Sequence, residues 1–141
     1  TASALDGGPS RIAQRAALQA LEPERADQET TALREVFSRK RNLMLKTLKD
    51  LGIRFAHEPL GTFYCWGSLE SLPEPFNDAM SFFWKALDHQ VMTVPGQFFD
   101  VNPGGFRKAP SPYEKWMRFS FGPPMDNMVM GLERLTKMLG S

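Results

Sequence analysis

Three observations predict an α+β fold, a small antiparallel or mixed sheet covered by helices, with one long amphipathic helix among them. Apolar residues recur at helical spacing after Pro23 and again after Pro124. The run Trp116-Met-Arg-Phe-Ser-Phe121 alternates strictly, and short β-rich runs lie between the helical stretches. With 141 residues, 42% of them hydrophobic, the chain holds apolar mass for one core of ordinary size.

The opening Thr1-Ala-Ser-Ala-Leu-Asp-Gly-Gly-Pro-Ser10 is small, polar and glycine-rich, and reads as an extended loop in a piece of a longer protein. Ser10 is placed to cap a first helix with Ile12, Ala16, Ala17, Ala20 and Leu21 on its apolar side. Pro23 suits the start of a second, much longer helix, where its missing N–H is not needed. Leu33, Phe37, Met44, Leu48 and Leu51 make the apolar stripe of that helix, and Gly52 ends it. Arg34, Glu35, Arg39, Lys40, Lys46 and Lys49 are expected on its solvated side. Ile53-Arg-Phe55 and Thr62-Phe-Tyr-Cys-Trp66 are β-rich and flank the turn residues Glu58-Pro-Leu-Gly61, which predicts a hairpin-like unit.

A further helix is expected from Asn77 or Asp78, with Met80, Phe83, Trp84 and Leu87 on one face. A short strand Val91-Met-Thr-Val94 follows, closed by Pro95-Gly96. Pro103, Gly104, Gly105, Pro110 and Pro112 exclude a long regular element between Gln97 and Lys115, so this stretch forms a surface excursion of the kind that serves as a lid or binding loop. In the next strand Met117, Phe119 and Phe121 point one way and Trp116, Arg118 and Ser120 the other. Met125, Met128, Val129, Leu132, Leu135 and Leu139 line the last helix, with Gly140 after it.

Charge narrows the function classes. Lys and Arg number 17 against 16 Asp and Glu, so no broad basic field exists for nucleic acid or an acidic membrane surface. No apolar run approaches the roughly 18 residues that span a bilayer, and the start lacks a basic-then-apolar pattern; a cytoplasmic protein is expected. The single Cys65 sits in an aromatic run and reads as core. His57 and His89 stand without a cluster at metal spacing; His89 reads as a partner of a helix C-terminus, and no metal is expected. Asn102-Pro-Gly-Gly-Phe106 lacks the strand-to-helix junction of a phosphate loop and reads as a turn.

Arg118 is the informative charge. A strand this aromatic ordinarily carries a cation at its edge, so something anionic is expected to face a guanidinium in its middle. Spacing alone leaves two partners open: a helix Asp or Glu in an ion pair, or the carboxylate of a ligand taken in a two-point fork that Lys cannot reproduce.

The series Gly61-Thr-Phe-Tyr-Cys-Trp66, Val94-Pro-Gly96 with Phe98 or Phe99, Met117-Arg-Phe-Ser-Phe121 and a final amphipathic helix resembles, in order and spacing, the C-terminal domain of class I/II aminotransferases of fold type I. Leu5-Asp-Gly-Gly-Pro-Ser10 with Gln14-Arg-Ala-Ala17 is similar to the family's segment after the cofactor lysine, which extends the resemblance over nearly the whole chain. It implies that residues 1–22 end a large cofactor domain and that 23–141 form the small domain. Arg118 then matches the arginine that binds the substrate α-carboxylate, and Phe63 an aromatic position bordering the substrate pocket. Asp6, Gly7 and Gly8 match a loop near the active site and dimer interface, with Gly7 and Gly8 the candidates for a weak cofactor contact. Tyr64 matches packing rather than proton transfer, and Gly96 a tight turn.

The resemblance also implies pyridoxal phosphate as cofactor, amino acid and 2-keto acid as substrates, the remainder of a parent chain, and a homodimer. The chain departs from the family's pattern in one respect that matters chemically. Lys40, Lys46, Lys49, Lys85, Lys108, Lys115 and Lys137 all lack the Ser/Thr-rich, glycine-followed setting of the lysine that bonds the cofactor, so no residue here is assigned a catalytic role and the piece alone is expected to be inactive. The excursion 97–115 is a second departure. A lyase of the same fold, or an effector-binding aminotransferase-like domain of a transcription regulator, are the alternatives.

Overall fold

The computed structural model describes residues 7–140. The chain divides into two compact units, one running to Val36 and one from Phe37.

In the first unit the Ser10 hydroxyl accepts the Ala13 N–H (3.1 Å) and caps helix α1, Arg11–Ala20, as its position predicts. The Leu21 N–H closes the helix on the Ala17 carbonyl (2.8 Å). The expected apolar side of α1 is not a buried one: Ile12 and Leu21 are 84% and 73% exposed. Helix α2, Pro23–Asp50, starts in this unit with Pro23 in its first turn. Leu33, read from spacing as part of a buried stripe, is also exposed.

In the second unit α2 buries Met44, Leu45 and Leu48. Gly52 adopts φ +91°, and this left-handed step lets the N–H groups of Gly52 and Ile53 reach the carbonyls of Lys49 (2.9 Å) and Leu48 (3.0 Å), pairing groups the helix end leaves open. Strand β1 is Tyr64–Ser68, followed by helix α3, Ala79–Asp88, strand β2, Val94–Pro95, strand β3, Trp116–Ser120, and helix α4, Met125–Leu139. The sheet is antiparallel in the order β1-β3-β2. Cys65 sits opposite Phe119, Trp66 opposite Arg118, and Val94 opposite Arg118 on the other side. This is the α+β arrangement of a small sheet with helices that the sequence predicts.

Three local expectations change. The hairpin is not formed: Ile53–Phe55 contributes one bridge, Arg54 to Ser68, and β1 pairs along its length with β3 instead. Thr62 at φ +63° breaks the extended run, so the strand begins only at Tyr64, where burial of Cys65 against Phe119 fixes its partner. Strand β2 shares only Val94 with the expected Val91–Val94 and runs on through Pro95, the residue expected to close it: Gln90 turns left-handed (φ +59°) and Val91 donates to the Ala86 carbonyl (2.8 Å) rather than to the sheet. Helix α3, capped by Asp78 on the Ser81 N–H (2.8 Å), buries Ala79, Phe82 and Ala86, while Trp84 is 60% exposed. That helix is apolar almost all round, so spacing does not set its rotation. The two alanines bring its backbone close, and Phe82 meets Phe119 edge to face (6.0 Å). In α4 the buried set is Met128, Leu132, Leu135 and Met138.

Lys40 is a further correction. Its ammonium is buried rather than solvated, lies 5.1 Å from the Phe37 ring centre, and donates to the carbonyls of Pro123 (2.6 Å) and Gly122 (3.3 Å). These carbonyls belong to the turn between β3 and α4, where Pro123 and Pro124 supply no N–H. One long side chain thus fastens that turn to α2 while burying its own methylenes. Fully enclosed Leu48, Phe82 and Phe121 each contribute about 1.5–3 kcal/mol of apolar burial. Cys65 is fully buried, as read from sequence, and burial pushes its thiol up to about 12.

Two outcomes are expected. Lys40→Met leaves the Pro123 and Gly122 carbonyls unpaired and lowers unfolding free energy by about 1–3 kcal/mol, read from the urea midpoint at unchanged slope. Above an unfolded thiol value near 8.5 the unfolded chain sheds the Cys65 proton while the folded chain keeps it, so stability falls by about 1.4 kcal/mol per pH unit up to pH 12. Cys65→Ala removes that increment, and the difference between the two alkaline denaturation curves measures it.

Candidate functional site

Strand β3 is the centre of the sheet, and its alternation decides what each face carries. Met117 and Phe119, with Cys65 of β1 and Pro95 of β2, enter the core. Tyr64, Trp66, Val94, Trp116, Arg118 and Ser120 therefore share the opposite face. Arg118 is half-buried in the middle of it. Its guanidinium carbon lies 4.1 Å from the centre of the Tyr64 ring and 4.7 Å from that of Phe99. Among the described residues its guanidinium makes no hydrogen bond and no ion pair, so the helix Asp or Glu that spacing left open as a partner is not there. A planar cation resting on rings, with its N–H groups uncommitted, has the geometry to accept two oxygens of one anion.

The rings are braced. Trp66 stands edge-on to Phe99 (5.5 Å) and to Tyr113 (5.6 Å), and stacks on Trp116 at 6.2 Å and 14°. Phe63 lies ahead of β1, 42% exposed; its carbonyl accepts the Phe121 N–H (2.8 Å) and its ring meets that of Tyr64 at 4.2 Å. Phe63 and Arg118 are thus joined through Tyr64. Gly7 and Gly8 belong to the first unit, ahead of α1; both are exposed, Gly7 at φ +66°, with open space where a Cβ would stand. Leu5 and Asp6 lie outside the described residues.

The excursion after β2 is a loop, as its prolines and glycines predict, with short 3₁₀ turns at Gly96–Phe99 and Pro103–Gly105. Gly96 is required by closeness rather than by a tight turn. A Cβ there would stand 2.5 Å from the Tyr113 carbonyl oxygen and 2.8 Å from that of Trp116, so the two ends of the loop touch backbone to backbone. Farther out Arg107 pairs with Asp100 and donates to the Pro110 carbonyl (3.0 Å). The Asn102 amide clasps the Arg107 carbonyl (3.0 Å) and N–H (3.1 Å). The Arg107 guanidinium, and then the Ser111 hydroxyl, hold the Asp100 carboxyl below its ordinary range. Arg107 is therefore a structural tie.

His89 ends α3 with its Nδ1 2.9 Å from the Lys85 carbonyl, the helix-end partner its position predicts. Among the described residues no three His, Cys, Asp or Glu side chains cluster as metal ligands would. No described helix is long and apolar enough to cross a membrane. A separate groove of about 370 Å³ runs between α4 and the Gln90–Thr93 segment, and Arg118 does not line it.

No family model matches the chain. Curated relatives do. The (5-formylfuran-3-yl)methyl phosphate transaminase of Methanocaldococcus jannaschii is 31% identical over 129 residues, 91% of this chain and 30% of that protein. The LL-diaminopimelate aminotransferase of Desulforudis audaxviator is 33% identical over 141 residues, 98% of this chain and 31% of its own length. Among solved structures, a Thermus thermophilus aspartate aminotransferase mutant complexed with tryptophan aligns with a TM-score of 0.78 at 26% identity, covering 97% of this chain and 32% of that one. A Mycobacterium tuberculosis aminotransferase aligns at 0.76 and 26%, covering 98% and 33%. The chain thus spans about a third of the length of the proteins it matches. Over nearly its whole length it is similar to the C-terminal portion of aminotransferases of fold type I.

That family implies pyridoxal phosphate, whose covalent anchor is a lysine amine. The residues of this chain taken alone do not fit that need. Lys40 is spent on two carbonyls, Lys46 and Lys49 pair with Asp50 and Glu58, and Lys108 donates to the Gly105 carbonyl. Lys115 sits 4.0 Å from Glu70, and Lys85 and Lys137 are exposed on helices.

Gly96→Ala is expected to force the loop ends apart and to cost about 1–3 kcal/mol, visible as a lowered denaturation midpoint together with faster proteolysis between residues 100 and 112.

Proposed function

We propose that this chain is the carboxylate-holding part of a pyridoxal-phosphate-dependent aminotransferase, which transfers an amino group between an amino acid and a 2-keto acid. The observation that carries the reading is the uncommitted Arg118 guanidinium at the centre of the sheet face. The curated relatives are an aminotransferase and a transaminase, which favours amino-group transfer over the lyase and the effector-binding domain of a regulator. In this reading Arg118 forks onto the α-carboxylate shared by amino acid and keto acid, and Phe63 borders the pocket in which the rest of the substrate lies. Residues 1–22 are then the end of the large cofactor domain and 23–141 the small domain. The cofactor, whose chemistry is to stabilise charge on the substrate α-carbon, is held by the rest of the enzyme, with Gly7 and Gly8 near it. The complete enzyme works as a cytoplasmic homodimer.

Because the fork is made by both substrates, its loss acts on both halves of the reaction. In the complete enzyme Arg118→Leu lowers kcat/KM on the order of 10²-fold or more with amino acid donors and with 2-oxoglutarate alike, and Arg118→Lys recovers only part of this. Steady-state kinetics checks it; parameters near those of the parent enzyme overturn the assignment.

A further inference from the structure

A guanidinium that is to meet a carboxylate must be held still beforehand without being satisfied by the protein, and these two demands conflict. A hydrogen-bond acceptor would fix it but occupy the N–H groups the ligand needs. A ring face fixes it by stacking and leaves those groups, which lie in the guanidinium plane, free. Arg118 is held in the second way. Its carbon lies over the rings of Tyr64 and Phe99, and no described acceptor touches its nitrogens.

The two rings arrive from different places. Tyr64 is the diagonal neighbour of Arg118 on β1 and is fixed by the register of the sheet. Phe99 closes the 3₁₀ turn after β2 and belongs to the excursion. Its position depends on what braces it: the Trp66 edge on one side, and on the other the neighbouring Asp100, tied to Arg107 and through it to Asn102 and Pro110. The tie is polar and local, whereas its effect is to hold an apolar ring against a cation.

Building on the carboxylate-clamp reading, we infer that Phe99 and Tyr64 are positioning residues that pre-align the Arg118 guanidinium by stacking, and that the excursion serves the clamp by delivering Phe99. The Tyr64 hydroxyl has no part in this: it makes no hydrogen bond among the described residues, so the ring alone does the work.

The test uses the complete enzyme with propionate as a minimal carboxylate, measured as a competitive inhibitor, beside KM and kcat for the amino acid donor. Phe99→Leu keeps apolar bulk and removes the ring; it raises the propionate inhibition constant and KM roughly fivefold to twentyfold while kcat changes less than threefold. Phe99→Tyr stays within about twofold of the parent, and Tyr64→Phe does the same while Tyr64→Leu behaves like Phe99→Leu. Asp100→Asn, which loosens the tie without touching either ring, gives a smaller change in the same direction. If Phe99→Leu does not fold, Tyr64→Leu and the Asp100→Asn series decide. Unchanged propionate inhibition in Phe99→Leu or Tyr64→Leu, in an enzyme where Arg118→Leu abolishes it, overturns the positioning role alone. If Arg118→Leu itself leaves propionate inhibition intact, the clamp reading fails and this inference falls with it.

Discussion

The alternation of β3 is the constraint on which everything else in the second unit depends. Met117 and Phe119 commit one side of the strand to the core, and the pleat then obliges Arg118 to emerge on the other. Because β3 lies between β1 and β2, the cation has strands on both flanks and cannot escape over an edge. A slip of one residue would exchange Arg118 for Phe119 in the core, an arrangement opposed both by desolvation of the charge and by exposure of the ring. The core therefore sets the location of the guanidinium, and the aromatic face sets its orientation.

What the residues revealed in advance follows from how local each feature is. Ser10 at its cap, Pro23 in a first turn, Gly52 past the helix end and the alternation of Trp116–Ser120 are written in neighbouring residues, and each stands as read. Arg118 was recognisable because a lone cation in an apolar alternating run is chemically conspicuous. The features that did not read out depend on distant partners. The rotation of α3 is decided by Phe82 reaching Phe119, and the solvated look of Lys40 is reversed by a turn more than eighty positions away. Tyr64 and Phe99 look like ordinary packing residues. Only the register of β1 and the turn after β2 show that they meet the same guanidinium. The signal in the sequence is parity alone, which puts Tyr64 and Trp66 on one face; that this face is the one Arg118 shares is set by the β1–β3 register.

Held against rings, the cation differs from one in an ion pair. An ion pair would depress its affinity for any incoming acid, since the ligand would have to displace an existing partner. Stacking leaves the charge exposed to whatever approaches in the guanidinium plane, at a cost in isolation that the braced aromatic set offsets by about 0.5–1.5 kcal/mol per ring pair. Such a face is of little use for general acid–base work and well suited to holding an anion in a fixed direction.

The backbone contact at Gly96 separates two kinds of sequence. Inward of that neck lie the sheet and the ring that steadies Arg118; outward, within the turn that the Asn102 clasp on Arg107 closes, Gly104, Gly105 and Phe106 are exposed. Lengthening a flexible segment between closed ends costs only about 0.6 kcal/mol per doubling. The turn inside that clasp, residues 104–106, is thus a cassette whose length and chemistry can drift among descendants while the Asp100–Arg107 tie and the strand beneath it stay in place.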